Sequence, residues 1–137
     1  MTQPRIFKFD QIPLVARGGG VQTKPMLNRS MGASAMTSGI TSFPPGAAIR
    51  LHSHNTEEMV TILEGDAVVE IEGRETKLSR YDTTFVPAGI FHRFINQSGS
   101  IMRILWVYGS IHVTRTFADT GETVDHLSDK DKGGARV

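Results

Sequence analysis

No cysteine occurs among the 137 residues. That absence excludes disulfides, thiolate nucleophiles and every sulfur-ligated metal site, so any metal held here rests on nitrogen and oxygen donors. A strong charge of either sign is missing too, since 15 Lys and Arg stand against 14 Asp and Glu. So close a balance leaves no basic face for nucleic acid or an anionic membrane, and no acidic tail. No apolar run approaches the roughly 20 residues that span a bilayer. The stretch MTQPRIFKFD lacks the apolar core and small-residue cleavage site of a secretory signal, which makes the cytoplasm the expected location. Helical periodicity is scarce as well. The one stretch that suggests it is DHLSDKDKGG, near the end.

What is present is a series of short segments rich in β-branched and aromatic residues. SAMTSGITSF (34–43), EMVTILEG (58–65), DAVVEIEG (66–73), TTFVPAG (83–89), HRFINQSG (92–99) and SIMRILWVYG (100–109) each close on Gly, Pro, Asn or Ser. Gly65-Asp66, Gly73-Arg74 and Ser98-Gly99 stand where hairpin turns need a residue at positive φ. Strands and turns at this close spacing predict an all-β sandwich or barrel, and no internal repeat divides it. Residues 1–30 read as an extended, strand-forming segment, 31–118 as the barrel and 119–137 as a polar, frayed tail. In IMRILWVY the charged Arg103 should face outward with Leu105 and Val107. That sends Met102, Ile104, Trp106 and Tyr108 inward. Phe94 and Met36 are expected in the same core.

The chemistry concentrates in two places. His52 and His54 sit one residue apart, so on a strand both point to one face, and Arg50 shares their parity. Glu58 begins the next apolar segment after the polar turn NTE, which could fold that strand back beside the first. Farther on, PAGIFHRFIN puts His92 at the head of another strand, after a Pro-x-Gly turn. Four candidate ligands at strand starts outline a metal site. Arg50 is predicted either to aim a guanidinium at the metal, clamping a substrate carboxylate, or to turn to solvent at a bulge. Asn96 is expected to close a turn through its side chain. His112 reads as a surface or interface residue, and His126 as a tail residue without a part in the chemistry.

These residues carry a family resemblance. Gly46, His52, His54, Glu58 and Gly65 resemble the first cupin motif at every specified position, and Pro87, Gly89, His92 and Asn96 resemble the second. One position departs: Tyr81 stands where the second motif begins with glycine. That glycine serves a turn, so the departure bears on loop shape more than on ligation. The resemblance implies a single-domain cupin, a double-stranded β-helix or jelly-roll barrel. It also implies a divalent metal on His52, His54, Glu58 and His92 with one or two positions left for water, substrate or dioxygen. Manganese, iron, nickel, cobalt and zinc all suit such a donor set.

Such a protein is expected to be a metal-dependent enzyme, a dioxygenase or an isomerase/lyase, acting on a small oxygen-rich organic molecule. The alternative is a non-catalytic small-molecule-binding or sensing cupin, and the fold alone does not choose. A homodimer is expected, because RIFKFD alternates apolar residues and could cover an open strand edge across a two-fold axis.

Overall fold

A strand that buries one face shows it as alternation, and residues 37–43 and 102–108 alternate strictly between buried and half-buried along seven residues each. The computed structural model describes residues 3–136. Its strands, in chain order, are β1 (Val15–Gly18), β2 (Val21–Leu27), β3 (Thr37–Phe43), β4 (Ala47–Ile49), β5 (His52–His54), β6 (Glu58–Glu64) and β7 (Ala67–Ile71). They continue with β8 (Arg74–Leu78), β9 (Thr83–Val86), β10 (His92–Ile95), β11 (Met102–Tyr108), β12 (Thr114–Phe117), β13 (Thr123–Asp125) and β14 (Gly134–Arg136). One sheet runs β1-β2-β3-β11-β6-β9. The other runs β13-β12-β5-β10-β4-β14, with β7 pairing β10 and β8. Every pairing is antiparallel. This is the cupin jelly-roll expected above. Among the described residues, no helix is long and apolar enough to cross a membrane.

The core lies between the sheets. Phe43, Val60, Ile62, Met102, Ile104, Trp106 and Tyr108 meet Val69 and Phe94 there, so the inward set expected for 102–108 is the observed one. Burying each such side chain contributes about 1.5–3 kcal/mol. Trp106 stands opposite Gly39 in the β11–β3 register. A Cβ on Gly39 would lie 2.3 Å from the indole ring and 2.7 Å from the Lys24 carbonyl oxygen, so the glycine makes the room that the indole fills.

Several expectations are corrected. Met36 lies before β3 and is exposed rather than in the core. The β7–β8 hairpin turns on Glu72 and Gly73, at φ 51° and 80°, one residue earlier than read, as a two-residue loop of mirror-image type demands. Gly65 has positive φ, but β6 and β7 belong to different sheets, so this is a corner and no hairpin. Gly99 is not among the positive-φ glycines. The described part of the tail, 119–136, does not fray: β13 pairs β12, β14 pairs β4, and no helix forms in 125–134. Residues 15–27 of the N-terminal segment pair within the chain's own sheet, whereas RIFKFD lies outside any strand with Ile6, Phe7 and Phe9 exposed.

Tyr81 has φ 74° in the β8–β9 turn. The loop thus keeps the left-handed conformation that the motif's glycine provides, at a cost of roughly 1–2 kcal/mol for a residue with a Cβ.

Candidate metal centre

Each histidine reaches the interior from a strand of one sheet. β10 pairs β5 with His92 opposite His52, and β5 carries His54 one residue beyond Ser53. Glu58 comes from the other sheet. The turn after β5 does not fold β6 back beside it, as the polar NTE stretch suggested. Instead β6 crosses to pair β11 and β9, with Glu58 opposite Tyr108. The carboxylate therefore faces the imidazoles across the barrel interior.

All four side chains are buried. Each imidazole donates its Nδ1–H to a backbone carbonyl: His52 to Arg50 at 2.6 Å, His54 to Thr114 at 3.0 Å, His92 to Ile90 at 2.9 Å. That fixes the tautomer and leaves each Nε2 with a bare lone pair. The three nitrogens converge within 4.8 Å of one another. His52 Nε2 and His54 Nε2 stand 3.1 Å apart, and His92 Nε2 stands 2.9 Å from Glu58 Oε1. Glu58 Oε2 is 3.8 Å from His54 Nε2. Lone pairs held this close repel unless a proton or a cation lies among them. The group therefore fits a divalent ion, and the backbone carbonyls supply the orienting contacts that ligating imidazoles need.

The electrostatics agree. Burial, then the Arg115 charge, pushes His52 well below the ordinary imidazole range. Burial takes His54 down to about 3, with Glu58 opposing and Arg115 assisting. Both rings are thus neutral and ready to ligate. Burial would raise Glu58, but the His92 ring at 2.9 Å and then His54 hold it at about 2, so it stays ionised. Burial, with Glu58 adding, keeps the Tyr108 hydroxyl protonated far above its usual range. That hydroxyl lies 3.2 Å from His54 Nε2.

Arg50 is not part of this constellation. The chain bends at Leu51, between β4 and β5, so the parity shared with His52 is lost. Its guanidinium pairs with Asp119 at 2.6 Å and lies 3.8 Å over the Phe117 ring, in a surface pocket with Glu70 and Arg93. Other arginines hold the interior position. Arg17 and Arg115, both buried, line the cavity that His52, Glu58, His92, Trp106 and Tyr108 also line. Asp131, from the tail, sits between them. His126, expected to lie in the tail apart from the chemistry, is placed beside the same cavity. Its ring lies 5.0 Å from Trp106 and from Tyr108 and lines the same cavity, and its Nε2 is enclosed without a partner. His112 is exposed, as expected.

The inner cavity has a free volume of ≈ 20 Å³, about that of one water. His126 also lines an outer pocket of ≈ 270 Å³, with Arg29, His112, Val113 and Leu127. It therefore stands between the two spaces.

Comparison with known proteins agrees with this architecture. The family model described as Cupin domain matches residues 39–108. Tetracenomycin polyketide synthase protein TcmJ of Streptomyces glaucescens is 29% identical over 91 residues, covering 66% of this chain and 61% of TcmJ. The match therefore spans less than two thirds of that relative. The polyketide cyclase RemF from Streptomyces resistomycificus superposes with TM-score 0.72 at 18% identity, over 95% of this chain and 91% of RemF. A sugar phosphate isomerase from Silicibacter pomeroyi superposes with TM-score 0.73 at 22% identity, over 97% of this chain and 92% of the isomerase. At those identities the two structures share the fold with this chain.

Proposed function

Because this chain belongs to the Cupin domain family, we propose that it is a metal-dependent enzyme of the isomerase/lyase or cyclase kind. On this reading it acts on a small, carbonyl-rich organic molecule by way of its enolate. His52, His54, Glu58 and His92 hold one divalent ion, of manganese, iron, nickel, cobalt or zinc. The observation that carries the reading is the set of three Nδ1–H···O=C contacts, which turn three lone pairs inward on one point. When bound there, the ion supplies Lewis acidity that polarises a carbonyl and lowers the cost of an enolate oxygen.

The chain's own residues do the rest. Tyr108, protonated at all ordinary pH, donates a hydrogen bond to an oxygen placed beside His54. Trp106, Phe94, Ile104 and Phe43 form the apolar wall and exclude water from the reacting carbon. A carbonyl-rich chain is the substrate class suggested by the polyketide relatives, and the outer pocket offers room for the part that the inner cavity cannot hold. The working unit in this proposal is a homodimer through the N-terminal segment, whose Ile6, Phe7, Phe9 and Leu14 are exposed.

The test follows solvent deuterium into the central carbon of acyclic 1,3-diketones by NMR. Metal-loaded wild type should exchange that position faster than buffer, and His52→Ala should not. Oxygen consumption without exchange would replace this reading with a dioxygenase. Diketone binding with neither reaction would replace it with a sensing or carrier protein.

A further inference from the structure

Two buried guanidinium groups, Arg17 and Arg115, share one buried carboxylate, Asp131, beside the ligand cluster. Asp131 Oδ2 is 3.0 Å from Arg17 Nη2, and Asp131 Oδ1 is 3.3 Å from Arg115 Nε. The two arginines are not equivalent. Arg17 spends its donors on the protein: Nη1 on Thr23 Oγ1 at 3.1 Å, Nη2 on Asp131, and Nε toward the Asp131 carbonyl at 3.5 Å. The chain continues from Thr23 to Thr41 and the Trp106 indole, at 2.8 Å each, which ties Arg17 across its own sheet to β11.

Arg115 has no such set. Its Nε lies close to Asp131 but misaligned for a hydrogen bond, and both Nε and Nη1 are enclosed without a partner. An enclosed guanidinium donor left unpaired is costly, and native interiors avoid it unless something else supplies the acceptor. The side chain is directed at the site: Arg115 stands opposite His54 in the β12–β5 register and lines the cavity with His52, Glu58 and His92.

We infer that Arg115, braced by Asp131 and Arg17, is the substrate anchor of the inner cavity and takes a planar oxyanion, a carboxylate in the first instance. The inference deepens the reading above, since it places that anion between Arg115 and the ligand cluster. An anion there supplies the missing acceptor and meets a planar fork suited to carboxylate geometry, and the side chains around the ≈ 20 Å³ cavity shift to admit it. Asp131, held by Arg17 and the Leu127 amide, acts on the anion only through Arg115 and is a positioning residue.

Malonate is the probe, titrated by calorimetry into metal-loaded and metal-free protein, alongside Arg115→Met. Elemental analysis of the variant shows whether metal is retained. Wild type should bind malonate, and Arg115→Met should hold its metal yet bind malonate at least tenfold more weakly. Equal affinities, or no malonate binding by either form of the wild type, would overturn the anchor and leave the metal site standing. If the wild type takes up no metal, the metal reading fails, and the metal-free titration alone decides the anchor by the same tenfold criterion. If Arg115→Met does not fold, Arg115→Lys takes its place. Lysine keeps the charge without the planar fork, so several-fold weaker binding supports the anchor and wild-type affinity overturns it.

Discussion

Asn96 donates to the carbonyls of Phe43, Pro44 and Ser100 and accepts from the Ser98 amide and hydroxyl, all from a fully buried position. One side chain thus satisfies three carbonyls of two loops and closes the turn after β10, in the role its place in the motif suggested. Asn96→Ala leaves those groups without their partners, and we expect it to lower stability by about 2–4 kcal/mol. Urea unfolding of metal-free protein measures this, and a loss below about half a kcal/mol would mean that water replaces the side chain. At this scale the motif residues were legible because their spacing survives in the sequence. The arginines were not. Arg17 and Asp131 are 114 positions apart, and only the pairing of the tail brings them together. The available signal was the alternation in HVTRTF, where Arg115 shares parity with Val113 and Phe117, both of which are buried. Arg50 misled because strand parity holds only while the strand is unbroken, and the bend at Leu51 breaks it.

At the scale of elements, the strands with an apolar face were readable and the others were not. β8, RETKL, has four exposed residues and one half-buried, so no apolar alternation marks it; it exists because β7 pairs with it residue for residue. The crossing of β6 to the far sheet was likewise hidden, since a short polar turn serves a hairpin and a sheet-to-sheet corner equally. The turn after β13 has a consequence that can be measured. It carries His126 inward, with the His126 amide donating to the Val113 carbonyl and the Leu127 amide to Asp131. Burial, then Arg17 and Arg115, holds that imidazole well below its ordinary pKa of 6.5. The unfolded chain takes up a proton near 6.5 that the folded chain refuses, so folded stability falls as the pH drops below that value. In chelator-treated protein, His126→Phe removes the group and keeps the bulk. The slope of stability against pH between about 6.5 and about 5 should become shallower by up to about 1.4 kcal/mol per unit. An unchanged slope would mean that His126 protonates as freely folded as unfolded.

At the scale of the whole molecule, the N-terminal segment before β1 exposes several apolar side chains. Ile6, Phe7, Phe9 and Leu14 lie together in sequence, and Ile6 is 86% exposed. Exposed apolar side chains grouped in this way are what the proposed dimer would cover, and the edge strand β1 directly follows them. Light scattering at micromolar concentration should give twice the chain mass for wild type, and mostly monomer for Ile6→Glu/Phe9→Glu. A monomeric wild type would remove the dimer from the account. The claim on which the rest depends is the ion itself. Elemental analysis of protein purified without added metal, then reloaded and desalted, should find one divalent ion per chain. His52→Ala and His92→Ala should each carry almost none, because one ligand and the geometry it fixes are lost together, while His112→Ala, altered at an exposed ring, should remain fully loaded. Full metal content in His52→Ala and His92→Ala, or no metal in the reloaded wild type, would contradict the account.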